Sequence, residues 1–88
     1  MHDFYLAKEI LDTVLKQAKK NNLKTVSRAF LSLGEFKEHN EKILPKNLRQ
    51  NFHLLAKNTL AKKAKLIIKK LKQSDIWCLE GIEGEIQH

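Results

Sequence analysis

Residues 4–20 read FYLAKEILDTVLKQAKK, and the apolar residues of this stretch recur at spacings of three and four. They are Leu6, Ile10, Leu11, Val14, Leu15 and Ala18. This spacing predicts a helix from about residue 4 to about residue 20, with one apolar stripe along its side. Asp3 stands where an N-cap belongs, because a short carboxylate accepts the free backbone N–H groups of the first turn. Asn21 and Asn22 then end the helix.

After this helix the spacing of the apolar residues changes from the period of a helix to that of a strand. Over residues 24–34, apolar and other residues alternate, with Ala29, Leu31 and Leu33 on one side and Arg28, Phe30 and Ser32 on the other. This alternation predicts a strand with one face on a core, ended by Gly34. The polar stretch from Glu35 to Leu44, which contains His39, is predicted to be a loop.

Pro45 predicts the first turn of a second helix, where its missing N–H is not needed. The apolar face of that helix consists of Leu48, Phe52 and Leu55. From Ala64 the alternation returns and predicts a second strand, with Ala64, Leu66 and Ile68 on one face and Lys65, Ile67 and Lys69 on the other.

The tail is interrupted by Gly81 and Gly84, so a third strand is predicted only near Ile76–Leu79. The predicted fold is therefore α+β, with two helices packed on one face of a small two- to three-stranded sheet in the order α-β-α-β-β. We expect a single domain over residues 1–88, with its third strand in the region 76–88.

The composition fits this size and class. The chain has 88 residues, of which 42% are hydrophobic and 31% charged, as in a globular domain. No run approaches the roughly 18 apolar residues that span a membrane, and Lys8 and Glu9 come too early for a signal-peptide core. We therefore expect a cytoplasmic protein.

The residues argue against catalysis. Cys78 is the single cysteine, and no neighbouring motif activates it. The three glycines form no phosphate-binding loop, the serines stand in no nucleophile elbow, and the carboxylates of the second half show no paired arrangement. The sequence therefore predicts that the protein is not an enzyme.

The first three residues suggest a metal site. If translation starts at Met1 and the chain is not processed, the α-amine, the His2 backbone nitrogen and the His2 imidazole can bind one ion in fused chelate rings, with the Asp3 backbone nitrogen as fourth ligand. Ni(II) or Cu(II) prefers such a planar nitrogen set, whereas Zn(II) prefers a tetrahedron. The alternative is that Asp3 serves only as a helix cap.

Several segments, in chain order, resemble the HypA family of hydrogenase and urease nickel-insertion proteins. The N-terminal Met1-His2-Asp3, followed by Leu6-Ala7 and Ile10-Leu11, is similar to the family's opening Met-His-Glu and first helix. Two later segments resemble the family's strand ending in Ile-Gly-Glu-Leu; they are Val26-Ser27-Arg28 and Leu31 to Phe36. Further segments resemble its second helix and next strand; they are Pro45, Leu48-Arg49, Phe52, Leu54 to Lys57, Thr59 to Ala61 and Ala64 to Leu66. The similarity covers about residues 1–70.

The resemblance implies a nickel metallochaperone that works beside a GTPase of the same pathway and serves a nickel enzyme such as a [NiFe] hydrogenase. It implies that the nickel ligands are the Met1 amine, the His2 backbone and imidazole nitrogens, and the Asp3 backbone nitrogen. Asp3 is one methylene shorter than the family's glutamate, which leaves the backbone ligand intact.

The sequence departs from the family in its zinc domain and its charge. The family has two Cys-x-x-Cys knuckles after the second strand, whereas this chain has none. Lysines crowd the second strand, namely Lys62, Lys63, Lys65, Lys69, Lys70 and Lys72. They favour a solvated strand face that protects an edge; a stripe that meets phosphates is disfavoured, because only Arg28 and Arg49 supply arginine forks. The alternative function is a diverged relative that has lost nickel and acts as a basic protein- or nucleic-acid-interaction module.

The cysteine count leads to a first prediction. A closed zinc site needs four ligands, and one cysteine with scattered histidines does not supply them. We expect the purified protein to hold no structural zinc after dialysis against a weak chelator, as measured by elemental analysis. About one zinc per chain would contradict this expectation.

Overall fold

A computed structural model describes residues 3–35, 37–38 and 41–87. Two helices and three long strands follow the predicted order, with a short hairpin between the first strand and the second helix. The elements are α1 (Asp3–Lys20), β1 (Leu23–Glu35), β2 (Lys37–Glu38), β3 (Glu41–Lys42), α2 (Pro45–Ala56), β4 (Lys65–Ser74) and β5 (Trp77–Ile86).

The main sheet has the order β4-β1-β5, so β1 lies in the centre. Strand β4 pairs with β1 in parallel, and β5 pairs with β1 antiparallel. Parallel neighbours need a long crossover connection, and the segment containing α2 supplies it. The α+β class and the order α-β-α-β-β are therefore confirmed.

Both helices pack on one face of this sheet around a single hydrophobic cluster. The largest buried side chains come from both helices and from the two parallel strands; they are Phe52, Leu6, Ile10, Leu31, Leu48, Leu66, Val14 and Val26. Complete burial of each such side chain stabilises the fold by roughly 1.5–3 kcal/mol. The stripe predicted for α1 and the alternation of Ala29, Leu31 and Leu33 both face this cluster.

An irregularity in the pairing of β1 with β5 brings one more residue of β1 into the core. Val26 pairs with Gly84 and Arg28 with Glu83, so β1 holds an extra residue, Ser27, opposite two consecutive residues of β5. Such a bulge shifts the alternation by one position. Val26 and Ala29 are therefore both buried, although they are three residues apart.

The third strand extends further than predicted. Gly81 and Gly84 were expected to interrupt it, but both lie within the strand. Strand β5 runs from Trp77 to Ile86 and passes through Gly81 and Gly84 without a break. A Cβ at Gly84 would overlap the carbonyl oxygen of Thr25, so the close approach of β1 requires glycine there. At Gly81 a Cβ would meet no atom within 4 Å.

Two further predictions need correction. The segment predicted as a loop contains the hairpin β2–β3, in which Lys37 pairs with Lys42 and Glu38 with Glu41. His39, which was predicted to lie in this loop, is outside the described residues. Strand β1 also continues past Gly34 to Glu35.

The contrast between the two glycines of β5 can be tested directly. We expect Gly84→Ala to lower the free energy of unfolding by roughly 1–3 kcal/mol, because the added methyl group forces the two strands apart. Gly81→Ala is the matched control, and we expect its effect to stay within about 0.5 kcal/mol. Urea denaturation monitored by circular dichroism measures both, and equal losses would contradict the close approach at Gly84.

Candidate metal site

The position of the candidate site follows from the way α1 leads into β1. The two elements are joined by Asn21 and Asn22, and Asn22 has a φ of 57°, a left-handed conformation that asparagine tolerates. Backbone bonds from Asn21 N to Gln17 O (3.0 Å) and from Asn22 N to Lys19 O (3.2 Å) close the end of the helix. After this turn, β1 runs back along α1.

The start of α1 therefore lies toward the end of the sheet where β1 finishes. The 18 residues of α1 span about 27 Å, and the 13 residues of β1 span about 43 Å. Asp3 is thus roughly level with the last third of β1. The same end of the sheet holds the turn between β4 and β5, where Asp75 N donates to Glu35 O at 3.0 Å.

Asp3 is the first residue of α1, not the residue before it as predicted. Its side chain is half-buried. The first four N–H groups of a helix have no partner inside the helix. The Asp3 backbone nitrogen can therefore bind a metal without the loss of a helical hydrogen bond. In this position its carboxylate also stabilises the positive end of the helix dipole.

Of the three predicted nickel ligands, only Asp3 belongs to the described residues. Met1 and His2 lie outside them, as do His39 and His88. His53 lies on α2, is exposed, and contacts the ring of Phe52 edge-on at 6.3 Å between centroids. Within residues 3–35, 37–38 and 41–87, no three histidine, cysteine, aspartate or glutamate side chains form a metal-binding group.

The first turn of α1 is anchored on one side and exposed on the other. Leu6, Ala7 and Ile10 are completely buried against the core. Phe4 and Tyr5 are 46% and 61% exposed, and their rings meet edge-on at 6.1 Å between centroids. This aromatic pair was not predicted, because both residues lie off the apolar stripe of α1. The buried side chains fix the direction in which α1 runs from Asp3.

The described residues do not form a zinc knuckle of the kind that the family has. Cys78 and Gly81, which stand at the spacing of a knuckle, lie in the extended strand β5 and pair with Ser32 and Phe30 of β1. Cys78 is exposed, and its Sγ lies 3.8 Å from the Leu79 carbonyl oxygen. A knuckle needs a tight turn between its two ligands, and a paired strand does not supply one.

Comparison with known proteins identifies the family. A family model described as hydrogenase/urease nickel incorporation, metallochaperone, HypA, matches residues 1–86. The chain belongs to the HypA family. Its function is thus that of a nickel metallochaperone for hydrogenase or urease, and the family is one of metallochaperones and not of catalytic enzymes.

Two solved structures share the fold of this HypA-family chain. The solution structure of the Ni metallochaperone HypA from Helicobacter pylori aligns with a TM-score of 0.79 at 14% identity, covering 99% of this chain and 100% of that chain. A second structure, described as the solution structure of HypA protein, aligns with a TM-score of 0.61 at 19% identity, covering 96% and 69%. No curated protein matches the sequence.

HypA proteins bind nickel and work together with partners in nickel maturation. Among the helices of the described residues, none is long and apolar enough to cross a membrane.

Proposed function

We propose that residues 1–88 form one nickel-binding domain and that the metal ligands are the Met1 amine, the His2 backbone and imidazole nitrogens, and the Asp3 backbone nitrogen. The observation that carries this proposal is the family match, which begins at residue 1 and therefore includes all three residues. The proposal requires that Met1 is the free N-terminal residue of the protein in the cell.

The chemistry of this ligand set suits nickel. Three consecutive residues supply four nitrogen atoms, which form fused chelate rings around one ion. A square-planar nitrogen environment favours Ni(II) or Cu(II) over Zn(II). Nickel is the cargo of the protein, so an open site at the chain terminus is consistent with its transfer to another protein.

The position of Asp3 at the start of α1 supports the same ligand set. Its backbone nitrogen takes no part in a helical hydrogen bond. The partial positive charges at a helix N-terminus stabilise an anion, and an amide that loses its proton to bind Ni(II) is such an anion. The buried side chains of Leu6 and Ala7 anchor the start of α1 to the core and hold this nitrogen in a fixed direction.

The proposal extends to the partners and to the metal content. The recipient enzyme is a nickel enzyme such as a [NiFe] hydrogenase, and a GTPase of the maturation pathway acts beside the protein. Nucleic acid and membrane have no part in the proposed function. The domain works without zinc, because its one cysteine lies in a paired strand. Nickel insertion takes place where enzyme subunits are made, so we place the protein in the cytoplasm.

The ligand set predicts which changes abolish nickel binding. We expect His2→Ala to lower the affinity for Ni(II) at least a hundredfold, because it removes the imidazole and opens a chelate ring. Extension of the chain by two residues before Met1 should have a similar effect, because it converts the amine to an amide. Isothermal titration of the untagged protein with Ni(II) measures both, after mass spectrometry has verified the N-terminal residue.

His53→Ala is the matched control, because His53 is exposed and lies on a different helix. We expect it to change the Ni(II) affinity less than twofold. If the extended chain binds nickel as tightly as the native one, the amine is not a ligand and the proposed site is wrong.

The same ligands predict a pH dependence. An imidazole ordinarily has a pKa of about 6.5, and metal binding must displace protons from the imidazole, the amine and at least one amide. Affinity for Ni(II) should therefore fall steeply as the pH is lowered below about 6. Titrations between pH 5.5 and 8 test this, and a flat profile would contradict a nitrogen ligand set.

A further inference from the structure

The charges of this protein are strongly segregated along the chain. Between Glu41 and Asp75 there are ten lysines and arginines and no aspartate or glutamate, whereas the rest of the chain has seven basic and ten acidic residues. The basic segment contains α2 and β4, and a hydrogen bond joins them, since Arg49 Nε donates to the Leu66 carbonyl oxygen at 3.1 Å. One edge of the domain therefore carries a large positive charge.

The opposite edge of the sheet is acidic. Strand β5 carries Glu80, Glu83 and Glu85 and no basic residue. Two of these carboxylates pair with basic side chains of β1: Lys24 Nζ lies 3.2 Å from Glu85 and Arg28 Nη1 lies 3.4 Å from Glu83. In the described part of the chain, the lysines of β4 have no corresponding ion pair.

The two helices cover one face of the sheet, and the other face presents a patch that combines apolar and basic side chains. We call it the outer patch; it consists of Phe30, Lys65, Ile67, Lys69 and Gly81. Strand β4 brings Ile67 beside Phe30, and β5 brings Gly81 to the other side of Phe30. Ile67 is 37% exposed, with the exposed Lys65 and Lys69 two residues to either side of it.

At the centre of the outer patch is a depression. Its volume is about 350 Å³, and its lining includes Phe30, Ile67, Lys69, Glu80 and Gly81. Gly81 keeps it open, because no atom lies within 4 Å of the place where a Cβ would stand. A single large apolar side chain fits a space of this size, and Phe30 and Ile67 give it an apolar floor.

We propose that the outer patch docks an acidic protein segment that carries a large apolar side chain. The apolar side chain enters the depression, where removal of apolar surface from water supplies affinity. Acidic residues on both sides of it meet Lys65 and Lys69, and the positive field of the whole β4 edge raises the rate of encounter. The outer patch lies on the face of the sheet opposite the one that α1 covers, and the proposal does not depend on nickel.

The observations favour a protein over a nucleic acid as the occupant. Nucleic-acid sites use arginine forks and exposed aromatic rings. On this face Arg28 is paired with Glu83, and Phe30 is half-buried. In addition, the Glu80 carboxylate lines the depression and accepts a hydrogen bond from Ser32 Oγ at 2.8 Å. This carboxylate lies where the apolar side chain enters, and the acidic residues of the segment meet Lys65 and Lys69 on either side. A nucleic acid has a phosphate at every nucleotide and would bring one close to Glu80.

A peptide titration tests the proposal on the nickel-free full chain. The probe is a 12-residue peptide with glutamates on both sides of one central phenylalanine; the comparison ligands are the same peptide with glutamine for each glutamate, and a 12-nucleotide single-stranded DNA. We expect the acidic peptide to shift the backbone amide signals of Phe30, Ile67, Lys69 and Gly81 in ¹⁵N-edited NMR spectra. The glutamine peptide and the DNA should bind at least tenfold more weakly.

Charge-reversal variants distinguish the effect of the outer-patch lysines on peptide binding from the effect of the protein's net charge. Lys65→Glu with Lys69→Glu should weaken peptide binding at least tenfold. Lys8→Glu with Lys16→Glu, on the exposed side of α1, makes the same change in net charge and should weaken it less than threefold. Ile67→Ser should also weaken binding of the phenylalanine peptide at least fivefold, which tests the apolar contact if the double variant on β4 does not fold.

Several results would overturn the proposal. They are an absence of shifts with the acidic peptide, tighter binding of the DNA, equal losses in the two charge-reversal pairs, and outer-patch shifts that depend on protein concentration without peptide. The last result would assign the outer patch to a second copy of the chain. Because no nickel is present, none of these outcomes affects the test of the metal site.

Discussion

The fold depends on strand β1, because it hydrogen-bonds with both β4 and β5 and also forms the floor beneath the helices. A strand in this position must form hydrogen bonds with a parallel neighbour, β4, and an antiparallel neighbour, β5, at the same time. The bulge at Ser27 makes this possible, since it adjusts the register to β5 and directs both Val26 and Ala29 into the core. The bulge in turn requires a residue without a side chain at Gly84. One close backbone contact therefore supports the sheet and the inner face on which α1 rests.

The elements that could be predicted from the sequence are those in which the apolar residues repeat over a short stretch of chain. The spacing of Leu6, Ile10 and Val14 defined α1, and the alternation from Ala29 to Leu33 defined the core face of β1, because both patterns repeat within a few residues. Strand β5 was predicted too short, because the reason for Gly84 is the carbonyl group of Thr25, about sixty residues earlier in the chain. The hairpin β2–β3 was missed because two pairs of residues leave almost no periodic signal.

The proposed nickel site and the outer patch also differ in whether their residues are close together in the sequence. The proposed nickel ligands come from three consecutive residues, mostly through backbone atoms, so a sequence can suggest them without knowledge of the fold. The outer patch draws Phe30 from β1, Ile67 from β4 and Gly81 from β5, and only the pairing of these strands brings them together. The alternation in the sequence already predicted that Lys65 and Lys69 lie on the opposite face of β4 from Leu66 and Ile68. It did not predict which residues of the neighbouring strands lie beside them.

The short connection between β4 and β5 is a position where extra chain could be inserted without a change in the sheet. Asp75, with a φ of 54°, and Ile76 join the two strands directly. The sheet is thus complete without any inserted unit, and extra chain introduced at this turn would leave the pairing of all three strands unchanged. Such an insertion would emerge at the end of the sheet toward which α1 begins. Gain or loss of a whole module at this point is therefore compatible with an intact scaffold, and the module would lie at the same end of the sheet as Asp3.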